Sequence, residues 1–447
     1  MMRGCVSMDL LNILNDKQKL LEYVDNSHYA DIAEDFSELD IEDQYTFFLN
    51  VPTDIFADTL VECSADVIIR VVEFFSVKEI ISIVSELMSD DAVDVLGYAS
   101  FGKQKAILQN MKLNDKVQFR TLLGYEKDSA GGIMSTEFVA LRASLTVNEA
   151  ITKLRSIEHD SDDYFDIIYL VDTKKKLVGY VTLKELVLSP SDILISDIMD
   201  TFVVSVKASD DQEDVADLVQ KYDLGAIPVV NNKENILGII TVDDVIDVLI
   251  EEQEEDYLKF GGVMNDPDTE DTIMSSVKAR LPWLCINLCT AFLAAFVVSQ
   301  FDNVISKVVA LAVAMPIVAG MGGNAGTQAL SVMIRNIAVN DASLATEWRK
   351  TYREVGVGLI NGLVTGSIAG LVLSLAYDNY YLGILLLCSM IGNMVLAGIV
   401  GFTVPLILKK LNFDPALASS IFITTATDIF GFFLFLGLAT IFLPLLI

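Results

Sequence analysis

Asp428 sits inside FITTATDIFGFFLFLGLATIFLPLLI (422–447), and no other charged residue occurs between Pro415 and Ile447. Read as a helix, the segment sets Ser420, Thr424 and Asp428 at successive i+4 positions, a single polar stripe with Thr425 beside it. If that helix starts near Asp414 at a bilayer surface, Asp428 lies about 14 residues in, ~21 Å at 1.5 Å per residue. A carboxylate at that depth is costly unless it faces water or a partner, so acid plus hydroxyls point to an aqueous path for a cation. A protonated Asp bonded to a neighbouring helix is the alternative. A second unusual stretch, GMGGNAGTQ (320–328), follows Pro316 and combines Gly320, Gly322, Gly323 and Gly326 with Asn324, Thr327 and Gln328. The proline and glycines permit a kink and close helix approach, which reads as packing; Asn324 reads equally as a packing group or as pore lining.

The elements that must position these residues follow from how charge is distributed. The chain has 447 residues, is 52% hydrophobic, and carries a formal net charge of -31. From 281 to 447 there are seven basic and seven acidic residues, which leaves 24 basic and 55 acidic in the first 280. The N-terminal part therefore favours cations and disfavours nucleic acid and anionic lipid. Charge-free stretches run 281–301, 308–334, 355–377 and 379–408, and a fifth runs from 415 onward, broken only by Asp428. Each reaches the roughly 20 residues needed to cross a bilayer, so five transmembrane helices are predicted. Arg280, the 335–353 loop with Arg335, Arg349, Lys350 and Arg353, and Lys409 with Lys410 mark the inside, and the C-terminus falls outside. The five cysteines form no C-x-x-C pair, and MMRGCVSMDLL lacks a signal-peptide core. No nucleophile paired with histidine and no phosphate loop is evident; His28 and His159 stand alone, so an enzyme is not predicted.

Ahead of the membrane region the chain repeats itself. IIYLVDTKKKLVGYVTLKEL (167–186) aligns with AIPVVNNKENILGIITVDDV (226–245), and GIMSTEFVALRASLTVNEAITKL upstream is echoed by DIMDTFVVSVKASDDQEDVADLV. This doubled β-α-β-β-α unit resembles a tandem pair of CBS domains. Residues 9–123 show helical spacing: Ile80, Ile83, Val84 and Leu87 share one face, and breaks such as NVPTD and LMSDD predict an α-helical superhelix. After the repeat, VIDVLIEEQEEDYLKFGGV reads as one acidic helix leading to the membrane.

That order, with PIVAGMGGNAGTQALSVMIRNIA (316–338), DPALAS (414–419), TTATDIFGFF (424–433) and YEKDSAGGIMSTEFVAL (125–141), resembles the MgtE family of magnesium channels. The resemblance implies an acidic α-helical N domain (1–135), tandem CBS domains (136–250), an acidic connecting or plug helix (251–278) and a transmembrane pore domain of five helices (279–447). It implies a homodimer in the plasma (inner) membrane with cytoplasmic N-terminal domains, a non-enzyme that imports Mg2+ and is closed by intracellular Mg2+, serving magnesium homeostasis. ATP is a candidate ligand of the CBS cleft. By position, the family's metal-facing acids fall on Asp90 and Asp94 (with Asp91 equally placed), Asp223, Asp244, Glu252, Glu255, Asp256, and Asp414 at the cytosolic mouth. Asp428 and Thr424 would face the permeating ion, with Asn324, Thr425 and Ser420 lining the pore. The chemistry alone reads "divalent cation"; the resemblance supplies magnesium. A coupled secondary transporter of divalent cations is the alternative, although five spans do not divide into equal inverted repeats.

Overall fold

The computed structural model describes residues 7–156, 164–263, 273–340, 350–411, 413 and 415–447. They fall into two compact units, Met1–Glu252 and Gln253–Ile447.

The first unit begins with short helices: α1 (Ser7–Ile13), α2 (Lys17–Asp25), α3 (Tyr29–Ser37), α4 (Ile41–Asn50), α5 (Thr53–Val61), α6 (Ala65–Phe74), α7 (Val77–Val84), α8 (Ser89–Gly97), α9 (Phe101–Asn110) and α10 (Leu113–Leu122). Local chemistry sets their ends. Ser76 and Glu79 close a capping box ahead of α7, and the Asp40 carboxylate accepts from the Glu42 and Asp43 amides at the start of α4. Pro52 opens α5, so NVPTD is a break as predicted. Ile80, Ile83 and Val84 are wholly buried; Leu87 lies past the end of α7 but packs on the same core. Alternate helices stack, α1 on α3, α3 on α5, α5 on α7 and α7 on α9, with α4, α6, α8 and α10 forming the second row. That next-but-one contact builds a superhelix. Phe36, Phe47, Phe56 and Phe75 fill its centre with ring centroids 5.4–6.2 Å apart for the pairs Phe36–Phe47, Phe36–Phe56, Phe47–Phe56 and Phe56–Phe75.

The repeat follows as β1 (Phe138–Arg142), α11 (Val147–Ser156), β2 (Tyr164–Val171), β3 (Leu177–Thr182) and α12 (Leu183–Leu188), then β4 (Val206–Lys207), α13 (Gln212–Tyr222), β5 (Ala226–Val230), β6 (Ile236–Thr241) and α14 (Val242–Phe260). Each half is a three-stranded sheet, β1-β2-β3 and β4-β5-β6, with the first pair parallel and the second antiparallel. The lead-in segments cross over. Ser135, ahead of β1, exchanges both backbone hydrogen bonds with Ile239 of the second half, and Asp200, ahead of β4, does the same with Tyr180 of the first. The glycine shared by VGYVT and LGIIT makes this possible: a Cβ on Gly179 would stand 2.7 Å from the Asp200 carbonyl, and one on Gly238 would strike that of Ser135. The acidic run 251–256 belongs to α14, the last helix of the repeat, which ends at Phe260 ahead of Gly262 at φ +79°. Residues 264–272 of the expected connecting helix lie outside the described residues.

The second unit contains α15 (Ile273–Ser299), α16 (Asp302–Ile305), α17 (Ala310–Asn340), α18 (Thr351–Tyr377), α19 (Tyr380–Lys410), α20 (Pro415–Ile441) and α21 (Leu443–Leu446). Five of the described helices, α15, α17, α18, α19 and α20, are long and apolar enough to cross a membrane. α15 covers Ile273–Ser299, so Arg280 lies within a helix rather than ahead of one. α19 is the most enclosed. Its partner α18 meets it through Gly358, Gly362, Gly366 and Gly370, one glycine per turn; a Cβ on Gly362 would lie 2.6 Å from the Ile391 backbone.

Candidate functional site

Two sets of oxygen-bearing residues stand out, one in each unit. In α20, Ile423, Thr427, Gly431, Phe435 and Ala439 face the packed interior, which leaves Ser420, Thr424 and Asp428 on a different side. Ser420, Thr425 and Asp428 are half-buried and Thr424 is exposed. The Thr424 hydroxyl donates to the Ser420 carbonyl at 3.0 Å and that of Thr425 to Ile421 at 2.6 Å. With their protons committed to the backbone, both oxygens offer only lone pairs outward, suited to the waters of a hydrated cation. Among the described residues nothing donates to or pairs with Asp428.

α17 runs alongside. Gly326 is buried where its Cβ would strike Ile423 of α20, and a Cβ on Gly401 of α19 would lie 2.5 Å from the Gly326 carbonyl. Gly326 packs, as predicted, whereas Gly320 does not. Gly323 faces Thr424, 3.9 Å from its methyl to the position a Cβ would take. Gly320, Asn324 and Gln328, spaced four apart, are away from that contact: a Cβ on Gly320 would meet open space, and Asn324 and Gln328 are exposed. Asp414 lies outside the described residues.

The second set joins α8 to the start of α14. Burial pushes the Asp91 carboxyl up to about 7, reinforced by the charges of Asp244, Asp94, Asp58 and Glu62. Asp90 is raised well above the carboxylate range by burial, then by Asp91 and Asp244. Asp94 reaches solvent at the rim, yet surrounding protein raises it to about 6, aided by Asp244 and opposed by Lys127. Asp244 is raised by burial although Thr241 donates to it through Oγ1 at 2.6 Å. Burial also raises Glu251, ahead of the charges of Asp94 and Asp247. Neighbouring like charges in a low-dielectric setting favour protons or a divalent ion over bare carboxylates. Among the described residues no three acids already stand close enough to hold one metal directly. Hard oxygen donors at that looser spacing suit an ion that keeps its waters. The turn bearing these acids is clamped: Glu137, just ahead of β1, accepts from Ser89 N (3.1 Å), Ser89 Oγ (2.7 Å) and Ser135 Oγ (2.8 Å), capping α8 from the CBS side.

Comparison with known proteins matches residues 315–438 to a family model described as a divalent cation transporter (MgtE), 27–128 to the MgtE intracellular N domain, and 130–191 and 195–251 to CBS domains. The Magnesium transporter MgtE of Enterococcus faecalis is 36% identical over 326 residues, 73% of this chain and 72% of the relative. The chain belongs to the MgtE family. The Magnesium transporter MgtE of Thermus thermophilus is 35% identical over 370 residues, 79% of each chain. The cytosolic domain of the Mg2+ channel MgtE, solved in complex with ATP, superposes with a TM-score of 0.51 at 29% identity, covering 54% of this chain and all of that one. As an MgtE-family member with five long apolar helices, the chain is a multi-pass membrane protein carrying the family's N domain and CBS pair.

Within this MgtE-family framework the sequence-derived acids separate. Asp90 and Asp94 meet Asp244, and Asp91 stands with them. Glu252 accepts from Gln212 at 2.7 Å. Asp223 is the exposed C-cap of α13 at φ +50°, and it is not among the leading charges acting on Asp90, Asp91 or Asp94. Glu255 pairs with Lys259 at 2.8 Å, and Asp256 is exposed on the same helix. Asp247 lies outside the acidic run 251–256 that the sequence draws attention to, and Glu251 stands in that run only as its first acid. Their signal was the i, i+3, i+7 spacing of Asp244, Asp247 and Glu251 on one helical face.

Proposed function

We propose that the chain is a magnesium-selective channel for Mg2+ uptake, a homodimer of the plasma membrane with cytoplasmic N-terminal domains and an external C-terminus. The observation that carries the reading is Asp428, an acid at the middle of a membrane-spanning helix, on the stripe away from the packed face, with no counter-charge among the described residues. Two such stripes across a two-fold axis would give the ion two carboxylates and flanking hydroxyls, enough to grip Mg2+ through its water shell without stripping it. The exposed apolar length of α15, with Leu284, Leu288, Phe292 and Phe296 all more than half accessible, supports contact with lipid or a second copy.

Closure follows from the cytosolic acids. Mg2+ bridging Asp90, Asp91 and Asp94 with Asp244, Asp247 and Glu251 would relieve the repulsion in the compact arrangement, and an ion favours whichever state binds it better. Glu252, Glu255, Asp256 and Asp223 join as outlying ligands, and Asp414 would guard the cytosolic mouth. The ATP complex of the related cytosolic domain supports a nucleotide at the CBS cleft here. Patch-clamp recording of full-length protein, with internal Mg2+ stepped from micromolar to millimolar, tests both claims. Current that reverses at the Mg2+ equilibrium potential and closes as internal Mg2+ rises agrees; a reversal potential that follows a second ion indicates coupled transport instead.

A further inference from the structure

Asn393 lies near the middle of α19, 1% exposed, in a helix otherwise almost wholly apolar. Its Nδ2 donates to the Val318 carbonyl of α17 at 2.9 Å. Only the amide nitrogen can face a carbonyl, so Oδ1 points the other way, where no donor meets it among the described residues. Two glycines make room for this one carboxamide. A Cβ on Gly322 of α17 would strike Nδ2, and a Cβ on Gly431 of α20 would stand 2.7 Å from Nδ2 and 3.2 Å from Oδ1. The side chain thus occupies a slot bounded by three different helices. Gly322 is two residues before Asn324, and Gly431 is three after Asp428, so the slot backs the very turns that carry those two side chains. An apolar residue there would avoid the orphaned acceptor, which is costly to bury. Apolar packing, however, would let α17 slide along α19, whereas a bond to one carbonyl admits one register.

We propose that Asn393 is a positioning residue: by pinning α17 at Val318 and fitting between Gly322 and Gly431, it fixes the depth of Asn324 relative to Asp428 and hence the preference among divalent cations. This rests on the reading of Asp428 as a pore acid. The test uses full-length protein in proteoliposomes, with Mg2+ and Ca2+ uptake measured separately. Asn393→Leu keeps the branching of the side chain, with bulkier methyl ends, and removes the bond; it should lower the Mg2+ to Ca2+ uptake ratio by about tenfold while the protein still elutes as wild type. Gly322→Ala alone should cut Mg2+ uptake by a similar factor; adding Asn393→Ala, which vacates the space but also removes the bond, should restore most of the uptake while leaving the Mg2+ to Ca2+ ratio as low as in Asn393→Leu. A ratio within about twofold of wild type in Asn393→Leu, or a wild-type ratio in the double variant, overturns the proposal. Asp428→Asn, run in parallel, separates the two failures. If it abolishes uptake while Asn393→Leu changes nothing, only the register role falls. If Asp428→Asn leaves uptake intact, the pore reading fails and this proposal with it.

Discussion

The membrane unit holds one acid on its polar stripe, whereas the cytosolic unit gathers at least six around α8 and α14. Asp428 has no charged neighbour among the described residues, and the oxygens beside it belong to hydroxyls already bonded to the backbone. Asp90, Asp91, Asp94 and Asp244 stand near one another, and each is driven above its ordinary range first by burial, with like charges adding to it against Lys127 at Asp94 and against the Thr241 hydrogen bonds at Asp244. On the proposed reading, a solitary carboxylate would give a weak, fast grip on a hydrated ion, as conduction requires. A crowded set would be uncomfortable when empty and relaxed when occupied, as the proposed sensing requires. On that reading the same residue type would serve opposite ends through the number of its neighbours.

That contrast can be broken at its membrane end. Asp428→Asn should lower Mg2+ flux in proteoliposomes by about 100-fold or more, since the only charge on the stripe is gone. Undiminished flux would show that the ion does not pass it. Next in size is a packing test: Gly362→Leu drives a side chain into the Ile391 backbone and should cost ~1–3 kcal/mol, read as a drop in melting temperature with loss of flux. At the cytosolic end, Asp91→Asn removes one buried like charge. It should raise the melting temperature in chelator and weaken inhibition by internal Mg2+, leaving Mg2+ over Ca2+ preference unchanged; inhibition as strong as wild type would remove Asp91 from the sensor.

Protons sharpen the same comparison. Asp91 near 7 and Asp94 near 6 in the compact state, against 3.8 for an exposed aspartate, mean that the compact state binds more protons than the separated one. Above about 7 these groups oppose compaction in full, and that opposition fades as pH falls through 6. The stabilisation conferred by Mg2+ should therefore be larger at pH 8 than at pH 6, measured as the melting-temperature gain on adding Mg2+ to the full-length protein. An equal gain at both values would contradict the assignment. The smallest effect belongs to Asp223→Gly. Glycine suits the left-handed cap better than aspartate, so stability should rise by about 0.5 kcal/mol while inhibition by internal Mg2+ weakens slightly; inhibition as strong as wild type would strike Asp223 from the outlying ligands.

Much of the architecture was legible because it is periodic. Four charge-free stretches and a fifth broken only by Asp428 announced the long helices, and the recurring glycine of VGYVT and LGIIT marked a place where another backbone presses in. The polar stripe of α20 was legible too, being local to one helix. The cytosolic cluster was only half visible: α8 and α14 are some 150 residues apart in sequence, and no local pattern reveals that Asp94 faces Glu251. Asn393 was silent for the opposite reason. A lone amide in an apolar stretch has no spacing to betray it, and its meaning comes only from the two glycines that make way for it.

The crossed lead-ins of the CBS pair carry a consequence for biosynthesis. Ser135 must wait for Ile239 to leave the ribosome before its backbone finds a partner, so the N-terminal half of the pair stays unfinished until the C-terminal half exists. A truncation that removes β6 should therefore release the segment that caps α8 as well, and the acids on that helix would lose their seat without a single one being mutated.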